Sequence, residues 1–174
     1  AFTATSIHHT IAGTEPTIAD RRVGLLHVQD AADLLIRGLT TSPAPARDQS
    51  TEVGVLEVWD LLQEFKATYD SGEIPDLADK FRIDLFNAYR AALFPGHYPL
   101  LLAPHDDSRG RFVETVRVRG GHGQSSISTT VPGITRGEHY HLHKIERFAV
   151  LQGDATICLR RMFDDQIVTF RVSG

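Results

Sequence analysis

The chain has 174 residues, 41% hydrophobic and 23% charged, with a formal net charge of −4. That balance suits one full domain or parts of two and offers no basic face for nucleic acid. No apolar run of about 18 to 20 residues is present to span a membrane. The opening AFTATSIHHTIAG lacks the charged and apolar regions of a signal peptide, and Cys158 is the single cysteine. A cytoplasmic protein without an internal disulfide is expected.

In chain order, RRVGLLHVQD (21–30) reads as a short buried strand. DAADLLIRGL (30–39) reads as a helix, with Asp30 near its start and Gly38 near its end. TSPAPARDQS (41–50) is a loop by its Pro and Ser content. Over 55–69, Val55, Val58, Trp59, Leu62, Phe65 and Tyr69 recur at helical spacing. A second stripe over 76–94 contains Leu77, Phe81, Leu85, Phe86, Tyr89 and Leu93. Both stripes are expected to pack a core or interface.

The composition changes near FPGHYPLLLAP. Beyond it, six short pieces bounded by Gly or Pro read as strands: 111–118, 123–131, 138–143, 147–153, 155–161 and 166–172. An α+β chain ending in an antiparallel β unit, a sandwich or small barrel, is expected.

The segment GITRGEHYHLHKIERFAVLQG (133–153) carries the chemistry. On a strand, His139, His141 and His143 share one face, and Tyr140 and Leu142 the other. Two imidazoles separated by one residue, with Glu146 beyond, can offer nitrogen and oxygen to one divalent ion, whether Zn, Fe, Ni or Mn.

The spacing of Gly133, His139, His141, Glu146 and Gly153 resembles the first motif of the cupin superfamily. The resemblance implies the first half of a double-stranded β-helix barrel, with His139, His141 and Glu146 as metal ligands and Zn as the metal. The family's fourth ligand lies in a second motif that this sequence does not contain, and His143 has no family role. GITRGEHY and DDSRGRFVE (106–114) are also similar to signatures of dTDP-4-keto-6-deoxysugar 3,5-epimerases. That resemblance makes His139 a base removing a sugar proton, and places Arg109 and Arg136 on the nucleotide sugar. Lys144 joins them as a candidate substrate contact. A 4-keto group acidifies the adjacent C–H, and an imidazole can take that proton. Ligand and base are competing roles for His139, and both stay open.

LLHVQDAADLLIRGL resembles the substrate-side half of extended short-chain dehydrogenase/reductases that act on nucleotide sugars, with Gln29 in place of the commoner Asp. The resemblance divides the chain into residues 1–98, the C-terminal part of such a reductase, and 99–174, the front of a cupin. Together these look like the bifunctional capsular-polysaccharide and O-antigen enzymes that make UDP-N-acetyl-6-deoxytalose-type sugars. The implied activity is C3 epimerisation of a UDP-4-keto-6-deoxy-HexNAc by the cupin, and C4 reduction with NADPH by a reductase core.

The Gly-x-x-Gly-x-x-Gly turn and the helical Tyr-x-x-x-Lys of such reductases are not among these residues. NADP(H) is therefore expected only in a full-length parent, and these residues alone are expected to be inactive as a reductase. The alternative is a non-catalytic metal- or sugar-binding cupin module with a helical dimerisation region. The chain ends at RVSG within a rhythm of strands, so open edges are expected to drive a homodimer. His8, His9, His27, His97, His105 and His122 carry no spacing that points to a site.

Overall fold

The computed structural model describes residues 2–39, 49–121 and 123–174. The loop expected over 41–50 falls mostly outside them, as does His122. The chain forms two compact units, Ala1–Thr135 and Arg136–Gly174.

Among the described residues, the first unit is built on four helices and two small sheets. Helix α1 (Phe2–Ala12) was not anticipated. It buries Ser6, Ile7 and Thr10, and Thr10 Oγ1 accepts a 2.9 Å hydrogen bond from Gln63 on α3. Strand β1 (Arg22–Leu25) pairs antiparallel with β2 (Thr51–Gly54), Val23 opposite Val53. Residues of β1 alternate between exposed and half-buried, so the strand expected to be buried is one half of a two-stranded ribbon. Helix α2 (Val28–Gly38) has no buried residue.

Helix α3 (Val55–Asp70) follows β2 directly. The Gly54 N–H donates to the Glu57 carboxylate at 3.4 Å, satisfying one of the donors that a helix start leaves open. Helix α4 (Lys80–Leu93) starts later than the sequence stripe suggested. The Asp79 carboxylate accepts from Arg82 N–H at 2.9 Å and fixes the first turn there.

The two stripes do meet. Val58, Leu62 and Phe65 from α3 and Leu85, Phe86 and Tyr89 from α4 form one buried cluster with Ile7 and Val53. Phe65 and Tyr69 each present an edge to Phe86, with ring centroids 5.2 Å apart. Such pairs contribute about 0.5–1.5 kcal/mol each beyond area burial.

A three-stranded antiparallel sheet completes this unit: β3 (His105–Asp107), β4 (Gly110–Arg117) and β5 (Gln124–Ser128). It is tied to the helical part by a parallel bridge between Ile74 and Val118. Ile74 N donates to Arg117 O, and Arg119 N to Ile74 O, both at 2.8 Å. The β3–β4 turn requires Gly110, whose φ is +138° and whose missing side chain would collide with the Thr129 carbonyl.

The second unit contains one hairpin, β6 (Asp154–Arg160) with β7 (Ile167–Ser173), in unbroken register from Asp154 opposite Ser173 to Arg160 opposite Ile167. Residues 136–153 form no strand, and no residue of the unit is buried. Ile145 and Phe163 are fully exposed.

The architecture is therefore α+β with open antiparallel sheets, which corrects the expectation of a cupin barrel half. A barrel requires its sheet to close on itself. Here the described strands form sheets of two, three and two. The pieces 138–143 and 147–153, expected as barrel strands, have no described strand beside them to complete a hydrogen-bonded ladder.

Candidate metal centre

The histidine segment is a loop shaped by its glycines. Gly137 adopts φ +102° and Glu138 φ 60°. These two left-handed residues turn the chain immediately before His139; glycine enters this region without the steric penalty other residues face.

The loop brings together three of the expected residues. His141 Nε2 lies 3.2 Å from Glu146 Oε1, and His139 Nε2 lies 3.6 Å from Glu146 Oε2. The two imidazoles meet edge to face with centroids 4.9 Å apart. One ligand atom from each of the three residues lies within 4.8 Å of the others. Donors about 2.0–2.2 Å from a common divalent ion lie no more than about 4.4 Å apart, and the 3.2 and 3.6 Å separations fall within that limit, so the three side chains could hold one ion. His143 is not part of the group.

Lys144 Nζ donates to Glu146 Oε1 at 2.8 Å. That hydrogen bond, followed by the charges of Lys144 and His141, holds the Glu146 carboxyl below the ordinary carboxylate range. The carboxylate is thus ready to bind a cation, and an ammonium already contacts one of its oxygens.

Two expectations are corrected at this site. The donor set contains no thiolate, and all three residues are exposed, so nothing in it selects zinc over another divalent ion. The barrel epimerase is also overturned. Its base needs a pocket that orients a sugar and excludes water. Here the His139 side chain is 53% exposed on a loop, with no barrel around it among the described residues.

The remaining candidates are placed as follows. Arg109 sits at the β3–β4 turn in the first unit. Its Nε and Nη2 donate to Asp107 Oδ2 at 2.9 and 2.6 Å, and its backbone N–H to Asp107 Oδ1 at 2.8 Å. Its charge is therefore matched within its own turn. Arg136 is half-buried at the start of the second unit. Cys158 is exposed, with Sγ 3.8 Å from Thr169 Oγ1.

A second group able to hold a divalent ion was not legible in the sequence: His27, Asp30 and Asp84, all half-buried. His27 Nδ1 lies 3.9 Å from Asp84 Oδ1. Lys80 Nζ lies between the carboxylates, 2.6 Å from Asp30 and 2.5 Å from Asp84. The one local signal was the Lys80–Asp84 pair at i,i+4 on α4. His27 and Asp30 come from the far end of another segment.

Among the described residues no helix is long and apolar enough to cross a membrane.

Residues 105–174 match the model of the polysaccharide biosynthesis C-terminal domain family. A relative from Pseudomonas aeruginosa, UDP-2-acetamido-2,6-beta-L-arabino-hexul-4-ose reductase, is 32% identical over 111 residues, 64% of this chain and 30% of the relative. Two solved structures align over nearly the whole chain. CapF with the inhibitor 3-isopropenyl-tropolone is 30% identical with a TM-score of 0.86, covering 99% of this chain and 52% of that one. The capsular polysaccharide assembling protein CapF from Staphylococcus aureus is 29% identical with a TM-score of 0.85, covering 100% of this chain and 49% of that one. The chain is related to these proteins and spans about half the length of the solved relatives and under a third of the curated one.

Proposed function

We propose that this chain belongs to an enzyme that reduces a UDP-linked 4-keto sugar on the way to a capsular or O-antigen polysaccharide. The observation that carries the reading is the relation just described: about 30% identity and a TM-score of 0.86 to CapF, together with 32% identity to a UDP-keto-sugar reductase.

In this reading residues 1–98 form the substrate-side part of a short-chain dehydrogenase/reductase, and residues 99–174 form an accessory region that binds a divalent metal. His139, His141 and Glu146 hold the ion through two imidazole nitrogens and a carboxylate oxygen. The ion supplies Lewis-acid polarisation of a bound oxygen. A ligating His139 has its lone pair engaged, so the role assigned to it is ligand rather than base. Within the second unit, Lys144 and Arg136 are the cations assigned to the substrate; Arg109, in the first unit, is held by Asp107 in its own turn. NADP(H) binds outside these residues, because the phosphate-binding glycine turn is not among them and the one Tyr-x-x-x-Lys spacing, Tyr140 to Lys144, lies on a loop rather than a helix. The exposed apolar side chains of the second unit and its unpaired hairpin edges favour a homodimer.

Disrupting the gene tests the pathway role. Cells without it are expected to accumulate a UDP-keto sugar and lose the matching surface polysaccharide. An unchanged nucleotide-sugar pool would contradict the reading.

A further inference from the structure

Helix α2 (Val28–Gly38) buries no residue, so a packed apolar face does not explain how it is held. Its first turn is held by polar contacts. Lys80 Nζ, at the start of α4, lies 2.6 Å from Asp30 and 2.5 Å from Asp84. His27 is the N-cap residue of α2, yet its side chain makes no capping hydrogen bond. Its Nδ1 instead faces Asp84 Oδ1 at 3.9 Å.

That separation is too long for a hydrogen bond, which needs about 2.7–3.2 Å. It falls within the roughly 4.4 Å that two donors of one divalent ion can span. Asp30 completes the set with an oxygen within 4.8 Å of the other two ligand atoms, so a side-chain shift of a few tenths of an ångström at most brings all three onto one ion. One imidazole nitrogen with two carboxylate oxygens suits a divalent transition metal, whereas calcium and magnesium favour oxygen alone.

Charge and burial favour an incoming ion. Two carboxylates face a single ammonium, so one negative charge is left over, and a divalent ion neutralises both. The His27 and Asp84 side chains are 15% and 21% exposed, that of Lys80 65%. The lysine thus reaches in from solvent and can withdraw while the inner ligands stay in place. The group lines a cavity of about 620 Å³ with room for an ion and its waters. Asn87, three residues after Asp84 on the same face of α4, also lines the cavity and can hold such a water.

We propose that His27, Asp30 and Asp84 bind a divalent transition-metal ion in competition with the Lys80 ammonium, and that the bound ion fastens α2 to α4. The site is separate in sequence from the 139–146 cluster and does not depend on the UDP-sugar reading.

The test adds Mn²⁺ to the 174-residue chain carrying Glu146→Ala, which disables the 139–146 cluster. Calorimetry gives affinity, paramagnetic broadening of amide NMR signals gives position, and circular dichroism checks the fold of each variant. One ion is expected to bind and to broaden the amides of His27, Asp30 and Asp84. His27→Gln and Asp84→Asn are each expected to weaken it at least tenfold. Lys80→Met is expected to tighten it several-fold, a gain that a folding defect does not imitate. Hydrogen exchange of the α2 amides, read by mass spectrometry, is expected to slow several-fold on adding Mn²⁺, and to be unaffected by it in His27→Gln. No binding by the Glu146→Ala chain, or broadening away from α2 and α4, would overturn the site. Unchanged affinity in Lys80→Met would overturn the competition, and unchanged α2 exchange the fastening.

Discussion

His141 Nε2 and Glu146 Oε1 lie 3.2 Å apart on a loop, five residues apart in sequence. Two side chains so close, one a nitrogen donor and one a carboxylate kept ionised, need a third element to hold an ion. His139, two residues earlier, places a third ligand atom beside them.

Removing either member of that pair is expected to remove the metal site. His141→Ala and Glu146→Ala should each weaken Mn²⁺ binding by tenfold or more in a calorimetric titration, since each leaves only two ligands. Lys144→Ala should act in the opposite direction. The Lys144 ammonium occupies Glu146 Oε1 at 2.8 Å, and its loss frees that oxygen and removes a like charge from beside the ion. A several-fold gain in affinity is the expected result.

The Glu146 shift also sets a direction in pH. Its carboxyl is held below the ordinary carboxylate range, so the folded state favours the ionised form. The stabilisation of the loop from these contacts is full above the unfolded carboxyl pKa and is lost as pH falls through the depressed value. The chemical shifts of the amides around Glu146, followed by NMR from neutral pH downward, should move only in that acidic window.

Tyr89 gives the alkaline counterpart. The side chain is fully buried in the helical core, and its hydroxyl has no hydrogen-bond partner among the described residues. Burial, then the nearby Asp70 charge, raises its pKa to about 12. An unfolded tyrosine ionises near 10, so unfolding is favoured progressively as pH rises from about 10 to about 12, and stability present below that window is lost across it. Tyr89→Phe removes an unsatisfied buried hydroxyl and is expected to stabilise the fold by about 1 kcal/mol at neutral pH. It should also flatten the alkaline loss. Thermal unfolding at pH 7 and pH 11 checks both.

Two substitutions separate the contributions of capping and core. Asp79→Ala removes the side-chain acceptor at the start of α4 and should cost about 1 kcal/mol. Phe65→Ala deletes a fully buried ring from the α3–α4 contact and should cost about 3–5 kcal/mol. Urea denaturation followed by far-ultraviolet circular dichroism distinguishes the two magnitudes.

Helices α3 and α4 were legible because Leu62, Phe65, Leu85 and Tyr89 recur at the helical period, and a helix satisfies its own backbone. Helix α1 was not legible. Its buried face is Ser6, Ile7 and Thr10, two of them polar, and Gln63 on another helix supplies the partner that makes Thr10 tolerable inside. The alternating His139–His143 segment has the strand period, yet a strand exists only where another strand completes its hydrogen bonds, and none does among the described residues. The side chains of His139, His141 and Glu146 still meet, because a turned loop brings them together. His27, Asp30 and Asp84 carried no such local signature; packing of the β1–α2 junction against α4 brings them together.

The most direct test of the account is hydride transfer. The complete gene product is mixed with NADPH and a UDP-4-keto-6-deoxy-N-acetylhexosamine, with NADPH absorbance and the sugar C4 carbon followed together. One NADPH is expected to be consumed per keto group converted to hydroxyl, and none by the 174-residue chain alone. Turnover by the isolated chain, or none by the complete product, would contradict it.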